Sequence, residues 1–473
     1  NPINITMKWL YSGWSVALTI CLLLGLRISD PTPLQSLRSQ TFDYYQQFDE
    51  KKHSNEVVII NLGEKSLNAL GQYPFPRSSY AQLLHDIRQK NQGIIGFTLM
   101  FPETDRFGGD EVFASWIKNN GVVLSQTPSS KGVRSSGPHI GTGTIGPSPA
   151  QQHLLTWRNL VTNIQGLETV ASGIGINASA PQPDNQTRTY PIAVEDNIYP
   201  SFAVEMLRVQ TGKPSYIIKT SEIGIQEFAV PPFDPIVTQA NGTAYIRFNN
   251  TFEEIEYTGA DSLPNMGGKF VIVGVSAEGV ANPVPTPAGN IYPQYIHAHM
   301  LQNFIDGSNI RRSELSAVTE LLCALLTMLL IGLSLYRLPI WAGLLTTVSI
   351  LGGIAYYSVH SYTANLMLVD ATFPFLAGFI VFTQASFNNF WIQFKLRAEI
   401  QKQFAGYASP TVVRMLQENP ELIKQGMKKE VSICFSDLRG FTPLGESFGD
   451  DVQGLTKIMN GYMDAITQPI LDA

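Results

Sequence analysis

Asp437 follows a short run of residues that predicts a buried strand, a position from which a carboxylate can hold a metal. Residues 431–435 are mostly apolar or β-branched, and Gly440 allows a tight backbone turn after the acid. Thr442 then supplies a capping hydroxyl, and Pro443 suits the first position of a helix. Because free N–H groups at a helix N-terminus attract anions, this spacing predicts a corner that binds a metal and a triphosphate. The same local pattern is also typical of a capping or surface acid.

The residues around Asp437 resemble the opening of the class III nucleotide cyclase catalytic domain, the family of adenylate and guanylate cyclases. The matching string is FSDLRGFT, within EVSICFSDLRGFTPLGE. The resemblance implies a ferredoxin-like α/β domain that converts a nucleoside triphosphate into a 3′,5′-cyclic nucleotide and pyrophosphate. ATP is favoured over GTP only on family frequency. It further implies two Mg²⁺ or Mn²⁺ ions and a homodimer, because the family's active sites form between two catalytic domains.

The same resemblance assigns roles to individual residues of this segment. Asp437 would be the first of two metal-bridging aspartates, and Leu438 would add its backbone carbonyl as a ligand. Gly440, Phe441 and Thr442 would form the turn that faces the phosphates. The family's remaining catalytic residues would lie beyond the last residue given, so residues 430–473 are expected to be the truncated start of the domain. We therefore expect an inactive fragment of a longer enzyme.

Upstream of this segment, four apolar stretches predict four transmembrane helices. They are residues 9–28, 315–335, 340–359 and 371–391. Lys and Arg next to the second, third and fourth stretches place residues 1–8 and the C-terminal segment in the cytoplasm. The predicted protein is a multi-pass protein of a bacterial inner (plasma) membrane, with residues 29–310 outside the cytoplasm.

Two charged features do not follow this simple topology. Arg311 and Arg312 lie on the outer side, against the positive-inside rule. Glu320 lies within the second predicted span, where a charge is costly, but near enough to its end to reach the membrane interface. The sequence therefore assigns Glu320 no role.

The block of residues 29–310 is predicted to be an α/β domain. Apolar runs at 57–62, 93–99, 122–125 and 270–275 predict buried strands, and a helical pattern covers 80–92. The block has no cysteine, and the spacing of the chain's three cysteines excludes a zinc motif. A stretch rich in Gly, Ser and Pro, residues 125–152, predicts a mobile loop.

The block resembles the second CHASE family of extracellular sensor domains, which stand before bacterial cyclases and kinases. The matching strings include VVIINLGEKSLNALGQYPFPR, GIIGFTLMFPETD and PDNQTRTYPIAVEDNIYPSFAVEML, in the family's order. The resemblance implies an extracytoplasmic ligand of unknown identity. Arg77, Arg188, His297 and His299 are candidate contacts, although a histidine beside alanine in an apolar segment is also typical of a core residue.

The chain differs from that family at four positions where acids are usual. Neutral residues stand there instead: Asn61, Gly63, Thr98 and Asn282. If those acids form a cation or ligand site in relatives, this chain has lost that site or binds something neutral. The alternative is drift at positions that serve only structure.

Residues 392–429 connect the last predicted span to the cyclase-like segment. Leu396, Ile400 and Phe404 are spaced four apart, which places them on one face of a helix. Residues 404–423 resemble the transducer element that joins two chains in this family. We expect a paired segment that shifts both active sites together, with a passive spacer as the alternative.

Charge and motif comparison narrow the function classes. The net charge is −6 and no basic cluster is present, so electrostatics give no support for nucleic-acid binding. Besides a sensor cyclase, two alternatives stay open: a sensor coupled to another ferredoxin-like output such as a diguanylate cyclase, and a sensor without enzymatic role. Residues 439–442 favour the first, because diguanylate cyclases carry different residues after their strand acid.

Overall fold

A computed structural model describes residues 13–129, 141–157, 159–180, 182–194, 198–312, 315–404, 435 and 437–471. The chain divides into two compact units, Asn1–Phe394 and Lys395–Ala473, which are described separately. The α-helices are Gly13–Ser29, Thr32–Tyr45, Glu64–Leu70, Arg77–Arg88, Asp110–Ile117, Gln165–Glu168, Phe202–Thr211, Pro293–Ile305, Ser316–Arg337, Ile340–Asn365, Thr372–Phe404, Phe441–Phe448 and Val452–Leu471. Short 3₁₀ turns are Gln46–Phe48, Ala150–Gln152 and Ala260–Ser262.

The strands are numbered β1 to β17 in chain order. They are Lys52–Leu62, Ile95–Phe97, Val122–Ser129, Gly141–Ile145, Asn159–Val161, Gly173–Ile176, Thr189–Pro191, Ala193–Val194, Tyr199–Pro200, Ser215–Thr220, Ile225–Ala229, Ile236–Val237, Thr243–Tyr245, Asn250–Glu256, Phe270–Val275, Val284–Thr286 and Gly289–Ile291.

Seven of the described strands form the main sheet of the α/β domain. Its order is β14-β1-β15-β2-β3-β5, and β6 also pairs with β3. All of these pairings are parallel except that of β3 with β5. The four strands predicted from apolar runs correspond to β1, β2, β3 and β15, which lie next to one another at the centre of the sheet.

Helices cover both faces of the sheet, which explains why its strands read as unbroken apolar runs. On one face, Val57 and Ile59 of β1 belong to a core shared with helices Phe202–Thr211 and Pro293–Ile305. On the other face, their neighbours Val58 and Ile60 pack with helix Arg77–Arg88. The predicted α/β domain is therefore a three-layer structure with two buried cores.

A smaller sheet corrects the prediction of a loop over residues 125–152. β3 continues to Ser129, and β4 runs parallel to β10 in the order β12-β11-β10-β4. β4 is mostly exposed and rich in glycine and threonine, so it carries no apolar alternation that would have revealed it. Residues 130–140 lie outside the described residues.

A helical bundle packs around its own apolar core. Side chains of four helices meet there, among them Val16, Met328, Leu351 and Val381. Small residues allow close approach: a Cβ added at Gly378 would lie 2.9 Å from Leu351 Cδ2. Large apolar side chains on the outside of these helices are exposed.

Two described helices are long and apolar enough to cross a membrane, Ser316–Arg337 and Ile340–Asn365. A third crossing is counted if Gly13–Ser29 and Thr32–Phe48, which meet at 77°, form one bent span. The predicted spans 9–28 and 371–391 fall on helices Gly13–Ser29 and Thr372–Phe404. By the criterion of length and composition, these two helices do not qualify individually.

Candidate functional site

A cavity of 280 Å³ lies at the carboxyl ends of the neighbouring parallel strands β3 and β6. Thr127 at the end of β3 and Asn177 just after β6 contribute to one wall. His297, in helix Pro293–Ile305, and Trp157 also line the cavity. Open α/β sheets bind ligands at this edge, beyond the carboxyl ends of their strands. The cavity is therefore the candidate ligand site of the domain.

A chain of hydrogen bonds fixes the buried wall of this cavity. The backbone N–H of Ala203 donates to the Tyr190 hydroxyl oxygen at 3.1 Å, and that hydroxyl donates to His297 Nδ1 at 2.6 Å. His297 Nε2 then carries the ring proton and donates it to Asn177 Oδ1 at 2.9 Å. Asn177 Nδ2 donates in turn to the Thr98 carbonyl at 3.0 Å. In this arrangement each donor of the series has an acceptor. The second N–H of Asn177 Nδ2 takes no part in this series of hydrogen bonds.

The His297 ring in this wall is uncharged. Complete burial lowers the pKa of His297 to about 3, because burial penalises the protonated form. The other residues that line the cavity are Thr, Pro, Trp, Asn, Ala, Ser, Val and Ile. Within the described lining, the cavity therefore presents hydrogen-bonding and apolar groups but no ionised side chain.

His299 lies on the same helix in an apolar environment. Its ring contacts the rings of Phe248 and Phe252, with centroids 5.2 and 5.0 Å apart. Burial, followed by the charge of Lys51, lowers the pKa of His299 to about 3. His299 is therefore a core residue, and it does not line the cavity at His297.

Two of the four neutral positions have their polar groups bound within the domain. Asn61 Oδ1 accepts a hydrogen bond from Gln294 Nε2, and Asn61 Nδ2 donates to the Tyr295 hydroxyl, both at 2.9 Å. Thr98 Oγ1 donates to the Val273 carbonyl at 3.1 Å. A carboxylate at position 61 has no proton to donate to Tyr295. These two residues serve the packing of the strand ends.

The other two neutral positions differ in the space around them. A Cβ added at Gly63 would lie 2.8 Å from Glu256 Oε1. That oxygen accepts a hydrogen bond from the Lys65 N–H, at 2.6 Å, at the start of helix Glu64–Leu70. An acid at position 63 would compete with Glu256 for the free N–H groups at this helix start. Asn282 is exposed. Among the residues that the structure describes, no group of three His, Cys, Asp or Glu side chains could hold a metal.

Arg77, a predicted ligand contact, holds a loop of its own domain. Its Nη2 donates to the Glu103 carbonyl at 2.8 Å, and its Nε lies 3.4 Å from Asp110 Oδ1. The guanidinium carbon lies 4.6 Å from the centroid of the Phe101 ring. These contacts fasten the loop after β2 to the start of helix Arg77–Arg88, and Arg77 does not line the cavity at His297.

Arg188, the second predicted contact, joins the α/β domain to helix Thr32–Tyr45, which we name the connector helix. Arg188 binds both carboxylate oxygens of Asp43, at 2.7 and 2.8 Å, and also binds Asp184. Hydrogen bonds from Arg188 lower the pKa of Asp184, whereas burial raises that of Asp43. Thus Arg77, Arg188 and His297 occupy three separate places, and only His297 lies at the cavity.

Asp49, just beyond the C-terminal end of the connector helix, makes a second attachment. Arg247 binds both oxygens of Asp49 at 2.6 and 2.9 Å, and Tyr362 of the bundle donates to the same carboxylate at 2.6 Å. The Tyr45 hydroxyl lies 2.7 Å from Ser358 Oγ, also in the bundle. Bidentate arginine pairs hold their partners in one orientation. The connector helix is therefore fixed both to the α/β domain and to the bundle.

A cluster of six charged residues lies where the connector helix meets the bundle. We name this group the charge cluster: Arg27, Arg38, Arg312, Asp30, Glu320 and Asp370. Arg27 Nη2 donates to Glu320 Oε2 at 2.8 Å, and Arg312 Nη2 contacts the same oxygen at 3.0 Å. Arg38 binds both oxygens of Asp30, at 2.8 and 3.0 Å.

Asp370 completes the cluster from the segment between the last two helices of the bundle. Its Oδ1 accepts the N–H of Thr372, and its own N–H donates to Glu320 Oε1. Its Oδ2 lies 3.9 Å from Arg27 and 3.7 Å from Arg38 and, within the described residues, accepts no hydrogen bond. The side chain of Asp370 is 0% exposed. The buried carboxylate of Asp370 therefore attracts the guanidinium groups of two other helices, and removal of either partner would leave a buried charge uncompensated.

The charge cluster corrects two expectations about charged residues. The Glu320 side chain is only 3% exposed and does not reach solvent, so the absence of a role for it was wrong. Arg312, which contradicted the positive-inside rule, is paired with that same carboxylate. Arg311 is exposed, and its backbone pairs with Leu366 and Leu368. The buried carboxylate of Glu320 therefore neutralises the charge of Arg312.

The cyclase-like segment is described only in part. The predicted strand at residues 431–435 lies outside the described residues except for Phe435, which is in no strand and is 94% exposed. Residues 405–429 of the predicted transducer also lie outside the described residues. Helix Val452–Leu471 is the last element that the structure describes.

The turn after Asp437 differs in detail from the prediction. Gly440 has φ 85°, a left-handed conformation that glycine adopts without strain, and the helix begins at Phe441 rather than at Pro443. Thr442 lies inside this helix, and no side chain caps it. Asp437 is exposed, and its Oδ1 accepts the Leu438 N–H at 2.9 Å. As predicted, Asp437 and Leu438 come shortly before the start of a helix.

Comparison with models of protein families matches residues 17–334 to the CHASE2 domain. This range includes the α/β domain, the connector helix and helix Ser316–Arg337 up to residue 334. No curated protein and no solved structure matches the chain. The match ends before the segment that contains Asp437.

Proposed function

The chain belongs to the CHASE2 domain family, and we propose that it is a membrane sensor that controls a nucleotide cyclase. CHASE2 domains are extracellular sensor domains. The observation that carries the proposal is the buried charge cluster, because it connects the α/β sensor domain to the helical bundle through the connector helix. A sensor needs such a rigid connection to pass a change in its domain to the membrane.

We propose four membrane crossings. Helices Gly13–Ser29, Ser316–Arg337, Ile340–Asn365 and Thr372–Phe404 share one core, which supports their insertion as a unit. Their outer surfaces carry exposed apolar side chains, such as Leu22, Leu326, Trp341 and Phe379. Such a surface is typical of contact with lipid. With an even number of crossings both chain ends would lie on one side of the membrane. The Lys and Arg residues beside the spans favour the cytoplasm as that side, so the sensor domain would lie in the periplasm or outside the cell.

The proposed output is a class III cyclase that acts as a homodimer on ATP or, less favoured, GTP. The support is the string FSDLRGFT and the position of Asp437 just before a helix start. Asp437 and the Leu438 carbonyl would bind two Mg²⁺ or Mn²⁺ ions, and residues 440–442 would face the phosphates. The metals would lower the pKa of the attacking hydroxyl and neutralise the leaving pyrophosphate. The sensor would act by shifting the two paired cytoplasmic segments.

The test measures cyclic AMP and cyclic GMP made by membranes that contain the full-length protein, with Mg²⁺ or Mn²⁺ and both substrates. Asp437→Ala should lower the rate by at least about a hundredfold, because metal ligation fails. The matched control is Asp450→Ala, at an exposed acid in the same unit, which should retain the rate. A full rate in Asp437→Ala, or cyclic di-GMP as the product, would overturn the cyclase proposal. Detection of neither product would leave the chain as a sensor without this enzyme.

A further inference from the structure

We propose that the cavity at His297 binds an uncharged ring compound with several hydroxyl groups, of the class of neutral monosaccharides. This inference rests on the proposed sensor function and gives its ligand a chemical class.

The first argument is the absence of charge in the described lining of the cavity. A ligand with a net charge would bury that charge beside the fully buried ring of His297, whose Nδ1 lies 2.6 Å from the Tyr190 hydroxyl oxygen. An unpaired buried charge costs much more than a hydroxyl group that finds a hydrogen-bond partner. The part of the lining that the structure describes therefore disfavours acids and amines.

The second argument is the mixture of groups in the lining. Trp157, Pro128 and Pro293 give flat apolar surfaces, while Asn177 and Ser179 supply hydrogen-bonding groups. A sugar ring has the matching character, with C–H faces that pack on flat apolar groups and hydroxyls at its edge. Sites of this kind fix orientation with a few polar groups within an apolar lining.

The third argument is the path from the cavity to the membrane. His297 lies on helix Pro293–Ile305, and the chain that leaves this helix reaches Arg312, which binds Glu320 of the bundle. Between them, Ile310 pairs with Tyr245, and Arg311 pairs with Met367. A ligand that moves the start of helix Pro293–Ile305 would therefore displace a chain segment tied directly to the charge cluster.

The experiment is isothermal titration calorimetry on the full chain in detergent. D-Glucose and N-acetyl-D-glucosamine are the neutral probes, and glucosamine and glucuronate are their cationic and anionic counterparts. We expect at least one neutral probe to bind, and its charged counterparts to bind at least about tenfold more weakly. Equal affinity for charged and neutral probes, or no binding of either neutral probe, would overturn the inference.

Two variants and one control variant locate the site. Ser179→Phe fills the cavity and should abolish binding, whereas Ser115→Phe, at an exposed position on helix Asp110–Ile117, should retain it. Asn177→Asp places a carboxylate in the wall and should reverse the preference, so that glucosamine binds more tightly than glucose. Binding that survives Ser179→Phe would contradict the inference, as would an unchanged preference in Asn177→Asp. Calorimetry does not depend on nucleotide turnover, so a chain that binds sugar but makes no cyclic nucleotide would sustain this inference and overturn the cyclase proposal.

Discussion

Glu320 and Arg27 form an ion pair at 2.8 Å between two helices whose residues are 293 positions apart in the chain. The same carboxylate binds Arg312, which comes from the segment that leaves the sensor domain, and the N–H of Asp370. One side chain therefore holds together the start of the bundle, its second helix, the sensor exit and the segment before the last helix.

Glu320→Gln should destabilise the protein by about 3–5 kcal/mol, because Arg27 and Arg312 would retain buried charges without this anion. The measurement is the denaturant-induced unfolding of the full chain in detergent, followed by the loss of helical signal. Glu222→Gln, at an exposed acid of the sensor domain, is the matched control and should change stability by no more than about 0.5 kcal/mol. Similar unfolding curves for the two variants would show that the charge cluster does not hold the bundle.

Stability should decrease in mild acid because of two buried histidines. Burial lowers the pKa of His297 and His299 to about 3, while a histidine in the unfolded chain titrates near pH 6.5. The unfolded chain therefore binds protons that the folded chain does not. The free energy of unfolding is therefore unaffected by these histidines above pH 6.5. As the pH falls from 6.5 towards 3, it decreases by about 1.4 kcal/mol per pH unit for each histidine.

The variant that tests this titration is His299→Phe, which keeps a ring between Phe248 and Phe252. Between pH 6.5 and 5, it should reduce the slope of the free energy of unfolding against pH by the equivalent of about one bound proton. The part of the slope that comes from His297 should be unchanged. His53→Phe, at an exposed position, is the control and should keep the full dependence. If His299→Phe and the unmodified chain lose stability equally in acid, His299 is not a buried neutral group.

Restoring the acids that are usual in relatives should destabilise the sensor domain at one position and have little effect at another. Gly63→Asp should destabilise the sensor domain by about 1–3 kcal/mol, because its Cβ would lie 2.8 Å from Glu256 Oε1 and its charge would repel that carboxylate. Asn282→Asp, at an exposed position, should be nearly neutral. Thermal unfolding of the two variants, with and without Ca²⁺, measures both effects.

A second substitution distinguishes repulsion from simple crowding at position 63. Glu256→Gln combined with Gly63→Asp should recover part of the lost stability, since the repulsion is removed. If Gly63→Asp is as stable as the unmodified chain and Ca²⁺ stabilises it further, the position is a vacated cation site and not a packing position.

The centre of the sheet could be predicted from the sequence because its strands are buried on both faces. Strands β1, β2, β3 and β15 contain apolar runs. Each run predicts a buried strand by itself, without information about the strands with which it pairs. Strand β4 lacked that signal, since its residues are mostly exposed glycine and threonine. Its place in the sheet depends on pairing with β10, from a distant part of the chain.

The site was only partly predictable for the same reason. His297 could be named from its sequence context, but its partners Tyr190 and Asn177 are 107 and 120 positions away. The role of Glu320 is decided by Arg27 and Arg312, and no local pattern connects the three. Arg188 was predicted to contact a ligand, but its partner is Asp43. The residues next to Arg188 in the sequence do not distinguish these two kinds of partner.

The three arginines and three acids of the charge cluster sum to zero formal charge. An elementary charge that crosses the field of a bilayer gains or loses about 2.3 kcal/mol per 100 mV. A group of six that is translated as one body carries no net charge through that field, so its translation does no net electrical work. A receptor built on this junction would take no gating charge from it.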